Sequence, residues 1–194
     1  MPSNLSQEIS AAQPSRTRST VFCALCIAIM AVCSWITVPF GPVPFTLQTF
    51  AMVFSFLVLK PKEALASIAL YLSMGAIGLP MFSSMRGGIG MILGPTGGFL
   101  WGFLIGAALA LCCMKLLAMK LKQGHIAIDV VGAVFFLAIC YLCGWIQLAV
   151  VAHMGMAAAF AAAVAPFIII DAVKLAIAIG VARAVRKALR PANP

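Results

Sequence analysis

Long apolar runs, separated by short polar or glycine- and proline-rich breaks, dominate the chain. No charged side chain occurs from residue 19 to residue 59. That length holds two helical spans, divided by Pro39-Phe40-Gly41-Pro42-Val43-Pro44, because so many prolines cannot continue a helix. The pattern predicts a first span over 20–38 and a short second one over 45–59, ended by Lys60-Pro61-Lys62-Glu63. Lipid cannot satisfy bare backbone, so the break between them must pack into the protein at the membrane edge. A third span is expected over 64–79 and a fourth over 99–117, closed by Lys115, Lys120 and Lys122. A fifth is expected over 126–151, starting near Asp129, and a sixth over 165–183, followed by Arg186, Lys187 and Arg190. Residues 1–18 are polar and are expected to form a disordered tail. The remainder, 19–190, reads as a single six-helix membrane domain. No small-x-small cleavage site closes the first apolar run, so it is read as an uncleaved helix.

Composition agrees with this pattern. The chain has 194 residues, 64% hydrophobic and 9% charged, with a mean hydropathy of +1.14. Such a chain is an integral membrane protein of all-α class. At about 20 residues per span it has room for roughly six helices. The apolar runs do not alternate, which argues against a membrane β-barrel. The net charge of +9 comes from short clusters between spans, not from a nucleic-acid-binding face. With the amino terminus inside, 11 of the 13 basic residues fall on the inner side, in keeping with the positive-inside rule. Arg86 then lies outside and Lys174 within a span. The seven cysteines sit in apolar runs without His or carboxylate neighbours and read as small packing residues. No cofactor or metal site is expected.

Two features carry chemistry. Residues 80–98, PMFSSMRGGIGMILGPTGG, are too apolar for a solvated loop and too glycine-rich for a good helix. They suit backbone folded over a cavity. They are no phosphate loop, because Phe99 stands where Lys is required. The second feature is the pair Asp171 and Lys174, the only charges between 130 and 182. Buried charges are costly in a span and mark functional sites, and residues three apart share a helix face. The pair can hold two helices together or line a polar site. The polar residues within reach of the outer face are Thr46, Gln48, Ser83, Ser84, Arg86, Thr96, His153, Asp171 and Lys174. So few groups under two Gly/Pro loops suit a small, mostly apolar molecule with a charged end. Arg86 or Lys174 would take a carboxylate, and Asp171 would accept from ligand N–H groups. Trp35, Tyr71, Trp101, Tyr141 and Trp145 are candidate ring surfaces. Nothing in the chain hydrolyses ATP, so transport needs a gradient or a separate motor. An enzymatic reading with Asp171 as base lacks a nucleophile or metal cluster.

Four blocks, G-P-V-P-F-T-L-Q-T-F (41–50), G-x-x-G-L-P-M-F (75–82), G-P-T-G-G-F-L-x-G-F (94–103) and P-F-x-x-x-D-A-V-K (166–174), resemble the BioY family in the family's order. These are the biotin-binding S components of energy-coupling factor (ECF) transporters. The resemblance implies a six-transmembrane-helix bundle of the S-component type, with a biotin pocket at the outer face. It implies no enzyme activity in the chain itself, and partnership with a transmembrane coupling subunit and two cytoplasmic ATPases. Placement in the cytoplasmic membrane with both termini inside follows. The resemblance implies ligand contacts from the loop after the third helix and from Asp171 and Lys174; with Arg86 chosen by its charge and position, the candidate substrate-binding residues are Thr46, Gln48, Arg86, Gly97, Asp171 and Lys174. Ala24 and Ala28 match an Ala-x-x-x-Ala motif that docks on the coupling subunit. Where the family often has Pro-Gly before the Asp, this chain has Ile169-Ile170. The competing reading is a stand-alone carrier or channel for another small organic solute, which flux in liposomes without an ATPase would reveal.

Overall fold

Prolines, glycines and charges set the helix ends. The computed structural model describes residues 3–121 and 125–189, with side chains from residue 16 onward. The helices are α1 (Ser3–Trp35), α2 (Gln48–Val58), α3 (Pro61–Ala76), α4 (Ile89–Leu93), α5 (Gly97–Ala118), α6 (Ile126–Val151), α7 (Met156–Ala163) and α8 (Ile168–Ala188). Two short strands, β1 (Thr37–Val38) and β2 (Phe45–Thr46), pair antiparallel. Thus α1 stops at Trp35, short of 38, because Thr37 and Val38 leave the helix to form this hairpin. At its other end α1 starts at Ser3, inside the segment whose polar sequence predicts a tail. Lys122 and Arg190, both used to orient the chain, lie outside the described residues.

The helix α3 begins where proline is best tolerated. Pro61 occupies the first turn, which needs no N–H donor, and the Lys60 N–H donates to the Glu63 carboxylate at 3.4 Å. By length and hydropathy, Arg16–Trp35, α5 and α6 suffice to cross a membrane, and α7 with α8 makes a fourth span bent by 45°. The helices α2 and α3 are shorter. Eleven residues in α2 rise only about 16 Å, and the β1–β2 hairpin covers its amino-terminal end. The bundle is an all-α membrane fold, and α1, α2, α3, α5, α6 and α8 answer the six expected spans.

A glycine stripe joins α5 to α6. Gly98, Gly102 and Gly106 recur every fourth residue, and added β-carbons there would press on Cys143, Cys140 and Phe136 of α6. Small residues at this spacing let two backbones approach closely. Beside the stripe, Phe136 packs at a tilt on Phe56 of α2 and stacks on Phe103 of α5, with ring centroids 5.2 and 6.2 Å apart. This packing fixes α2, α5 and α6 around one core, and α8 packs along α2. The helix α7 is an element the hydropathy pattern does not separate. Its Ala-rich run resembles its neighbours, and the break before α8 falls at Pro166, which disfavours helix for the residue before it.

Candidate functional site

At one end of the bundle the two irregular loops and the starts of α2, α5 and α8 enclose a cavity. Its empty volume is about 660 Å³ including its open mouth. The loop over 39–45 supplies Val43 and Pro44, and the loop over 80–98 supplies Phe82, Ser83, Met91 and Thr96. Helices supply Gln48, Thr49, Phe99, Phe103, Cys140, Tyr141, Asp171 and Lys174. Apolar rings and aliphatic side chains thus surround a small polar floor, the usual build of a small-molecule site.

The floor is organised by Asp171. Lys174 Nζ lies 2.7 Å from Asp171 Oδ1, with both side chains under 10% exposed. Thr49 donates to the same oxygen at 3.1 Å, and the Tyr141 hydroxyl donates to Oδ2 at 2.6 Å. Lys174 also donates to the Thr46 carbonyl at 2.6 Å and sits 3.9 Å from the centre of the Phe45 ring. Lys174 therefore neutralises the carboxylate, and two neutral hydroxyls complete its hydrogen bonds. The ammonium has one acceptor besides Asp171 and a ring face, which attracts a cation electrostatically. The floor is net neutral but strongly polar. Its cost of burial is offset only while the pair is intact, since removing one partner of a buried pair costs roughly 3–5 kcal/mol.

Four of the six candidate substrate residues meet here: Thr46, Gln48, Asp171 and Lys174. The other two do not line the cavity. Arg86 is exposed, and its backbone pairs with Phe82 and Ser83 in a tight turn that carries the side chain outward. Gly97 is buried as the first residue of α5, where an added β-carbon would collide with the Ile92 carbonyl oxygen, so it serves close packing. His153 and Ser84 are exposed and also outside the lining. Among the aromatic candidates Tyr141 lines the cavity, and the three tryptophans do not. Cys140, expected to be a packing residue, is a wall of the cavity as well. Thr49 and Phe45 were not anticipated; a threonine three residues past Thr46 gives no sign of its partner until α2 is laid against α8. Ala24 and Ala28 are both exposed on α1, on the face that also presents Val21, Leu25 and Val32.

A second charged cluster lies far along α8. Asp129 Oδ2 accepts from Arg183 at 2.7 Å and from Arg186 at 2.5 Å. It ties the start of α6 to the end of α8, at the opposite end of the bundle from the cavity.

Comparison with known proteins matches this architecture. The BioY family profile covers residues 5–191. A protein named biotin transporter BioY from Thermotoga maritima is 36% identical over 172 residues, 88% of this chain and 96% of the relative. A probable biotin transporter BioY from Pyrococcus horikoshii is 38% identical over 159 residues, 82% of this chain and 90% of the relative. The biotin transporter BioY2 of Lactococcus lactis is 35% identical over 162 residues, 84% of this chain and 86% of the relative. Among solved structures, the S-component for biotin from an ECF-type ABC transporter superposes with a TM-score of 0.82 at 23% identity, over 91% of this chain and 94% of that one. The fold is therefore that of an ECF S component, and the chain belongs to the BioY family.

Proposed function

We propose that this chain captures biotin in the cavity from the outer face of the cytoplasmic membrane and serves its uptake as the substrate-specific subunit of an ECF-type transporter. The observation that carries the reading is the net-neutral Asp171–Lys174 floor under an apolar vault, in a chain of this family. Biotin offers a neutral ureido ring with N–H donors and a carbonyl acceptor, an apolar sulfur ring, and a carboxylate on a flexible chain. A neutral floor with both a carboxylate and an ammonium complements the ureido ring. A carboxylate placed there would add an uncompensated negative charge. The carboxylate end therefore sits toward the mouth, away from the buried floor.

The charge distribution supports the orientation. Lys60 and Lys62 follow the end of α2, Lys115 lies in the last turn of α5, and Arg183, Arg186 and Lys187 lie toward the end of α8, all helices whose other ends face the cavity. Placing them inside puts the cavity outside and both termini, with the polar residues 1–18, in the cytoplasm. The chain acts as a binding subunit rather than an enzyme, with ATP hydrolysis in two partner ATPases. The exposed Ala24–Ala28 face gives a transmembrane coupling subunit a place for close approach. Ala28→Trp is expected to block cellular uptake while sparing binding.

The reading is tested by mass spectrometry of the small molecule released from the purified chain, followed by labelled-biotin binding to the emptied protein. Biotin should be found, and should rebind one per chain. A different solute, with no biotin rebinding after its removal, would overturn the proposal.

A further inference from the structure

Beneath the cavity a buried polar chain leads away from the floor. Gln48, 5% exposed and part of the lining, donates from Nε2 to the Tyr71 hydroxyl at 2.6 Å. That hydroxyl donates in turn to the Met81 carbonyl at 2.6 Å. A carbonyl cannot donate, so Tyr71 must give its proton to Met81 and accept from Gln48. This fixes the amide of Gln48 with its nitrogen toward Tyr71. Its oxygen accepts no hydrogen bond among the described residues, and is left to a donor in the cavity.

Met81 opens the 80–86 loop, which is held from several sides. The Ser34 hydroxyl lies 2.6 Å from the same Met81 carbonyl, and the Trp35 indole N–H donates to Pro80 at 2.7 Å. Thr37 Oγ1 accepts from the Ser84 N–H at 3.2 Å. Phe82 packs edge-on against Tyr71, at 5.8 Å between centroids, while lining the cavity. Ser84 and Met85 both hold the left-handed backbone region, with φ of 58° and 56°. Neither is glycine, so the turn is disfavoured on its own and persists only while its surroundings hold it.

We infer that Tyr71 is a positioning residue which couples ligand at Gln48 to closure of the 80–86 loop over the cavity. The inference rests on the biotin reading of the site. A ligand N–H on the Gln48 oxygen restrains the amide further in that orientation. The amide holds the Tyr71 hydroxyl on Met81, and this clasps the strained loop. Coupling of this kind is reciprocal, so a clasped loop also holds the ligand longer.

The test is hydrogen exchange of full-length protein, with and without saturating biotin, in wild type and in the near-isosteric Tyr71→Phe. The reporters are the amides of Phe82, Ser84 and Arg86, which donate to Arg86, Thr37 and Ser83. In wild type, biotin should slow exchange both there and in 166–176. In Tyr71→Phe at saturation, slowing in 166–176 should persist, while slowing over 80–86 falls about tenfold, the size expected for one buried hydrogen bond. The biotin off-rate should rise by a similar factor. Ser34→Ala should show the same loop effect in weaker form. Equal loop protection in wild type and Tyr71→Phe at saturation would overturn the coupling while leaving biotin binding intact. Absence of any biotin effect in wild type would instead overturn the biotin reading on which the coupling rests.

Discussion

Two ion clusters sit on the same helix, α8, and do different work. Within its first two turns Asp171 and Lys174 are both under 10% exposed, and neutral hydroxyls and a carbonyl surround them. Near its last turn Asp129 is buried while Arg183 and Arg186 keep about a third of their side chains exposed. The Asp129 cluster joins α6 to α8 by cations that stay partly exposed. The Asp171 cluster opens onto a cavity. A buried pair is weak evidence for stability, because desolvation offsets most of the attraction. Its place in the cavity lining makes Asp171–Lys174 the candidate site, whereas Asp129 lies outside that lining and ties two helices together.

The contrast breaks most sharply at Asp171. Replacing it with Asn leaves the Lys174 ammonium buried without a counter-charge, and biotin affinity should fall about a hundredfold. Isothermal titration measures it, and an affinity within a few-fold of wild type would make the Asp171 cluster another tie between helices. Asp129→Asn is expected to act the other way. Thermal unfolding should show a loss of about 1–3 kcal/mol, reduced by the exposure of both arginines, with biotin affinity nearly unchanged. A matching loss of affinity would erase the distinction between the clusters.

Smaller effects sharpen it. Thr49→Val removes one of three donors to Asp171 and should weaken binding about three- to tenfold. Arg86→Ala should weaken it about twofold, an effect that fades at high salt, because an exposed cation outside the cavity lining is screened. A large, salt-insensitive loss would place the carboxylate of the ligand deeper, against that side chain.

Much of this was legible before the fold. The helix boundary at Lys60–Pro61 was marked by proline and charge, and the span Ile126–Val151 by its uninterrupted apolar run after a basic cluster. The Asp171–Lys174 pair was legible because charge in an apolar span is rare and helical spacing is fixed. The role of Thr49 was not, since a hydroxyl three residues past Thr46 reveals a partner on α8 only through packing. Arg86 drew attention by its charge, but its direction is set by the left-handed Ser84 and Met85, which no local signal announces. Gly97 belongs to a glycine-rich block, and glycine serves close backbone packing as readily as ligand approach. The helix α7 escaped because Ala-rich sequence carries no boundary of its own.

The most direct measurement is a labelled-biotin titration of the purified full chain beside its Lys174→Ala variant, with folding of both checked by thermal unfolding. Saturable binding of one biotin per wild-type chain, reduced by at least a hundredfold in a folded variant, is the expected result. Equal binding by both proteins, or none by the wild type, would contradict the account.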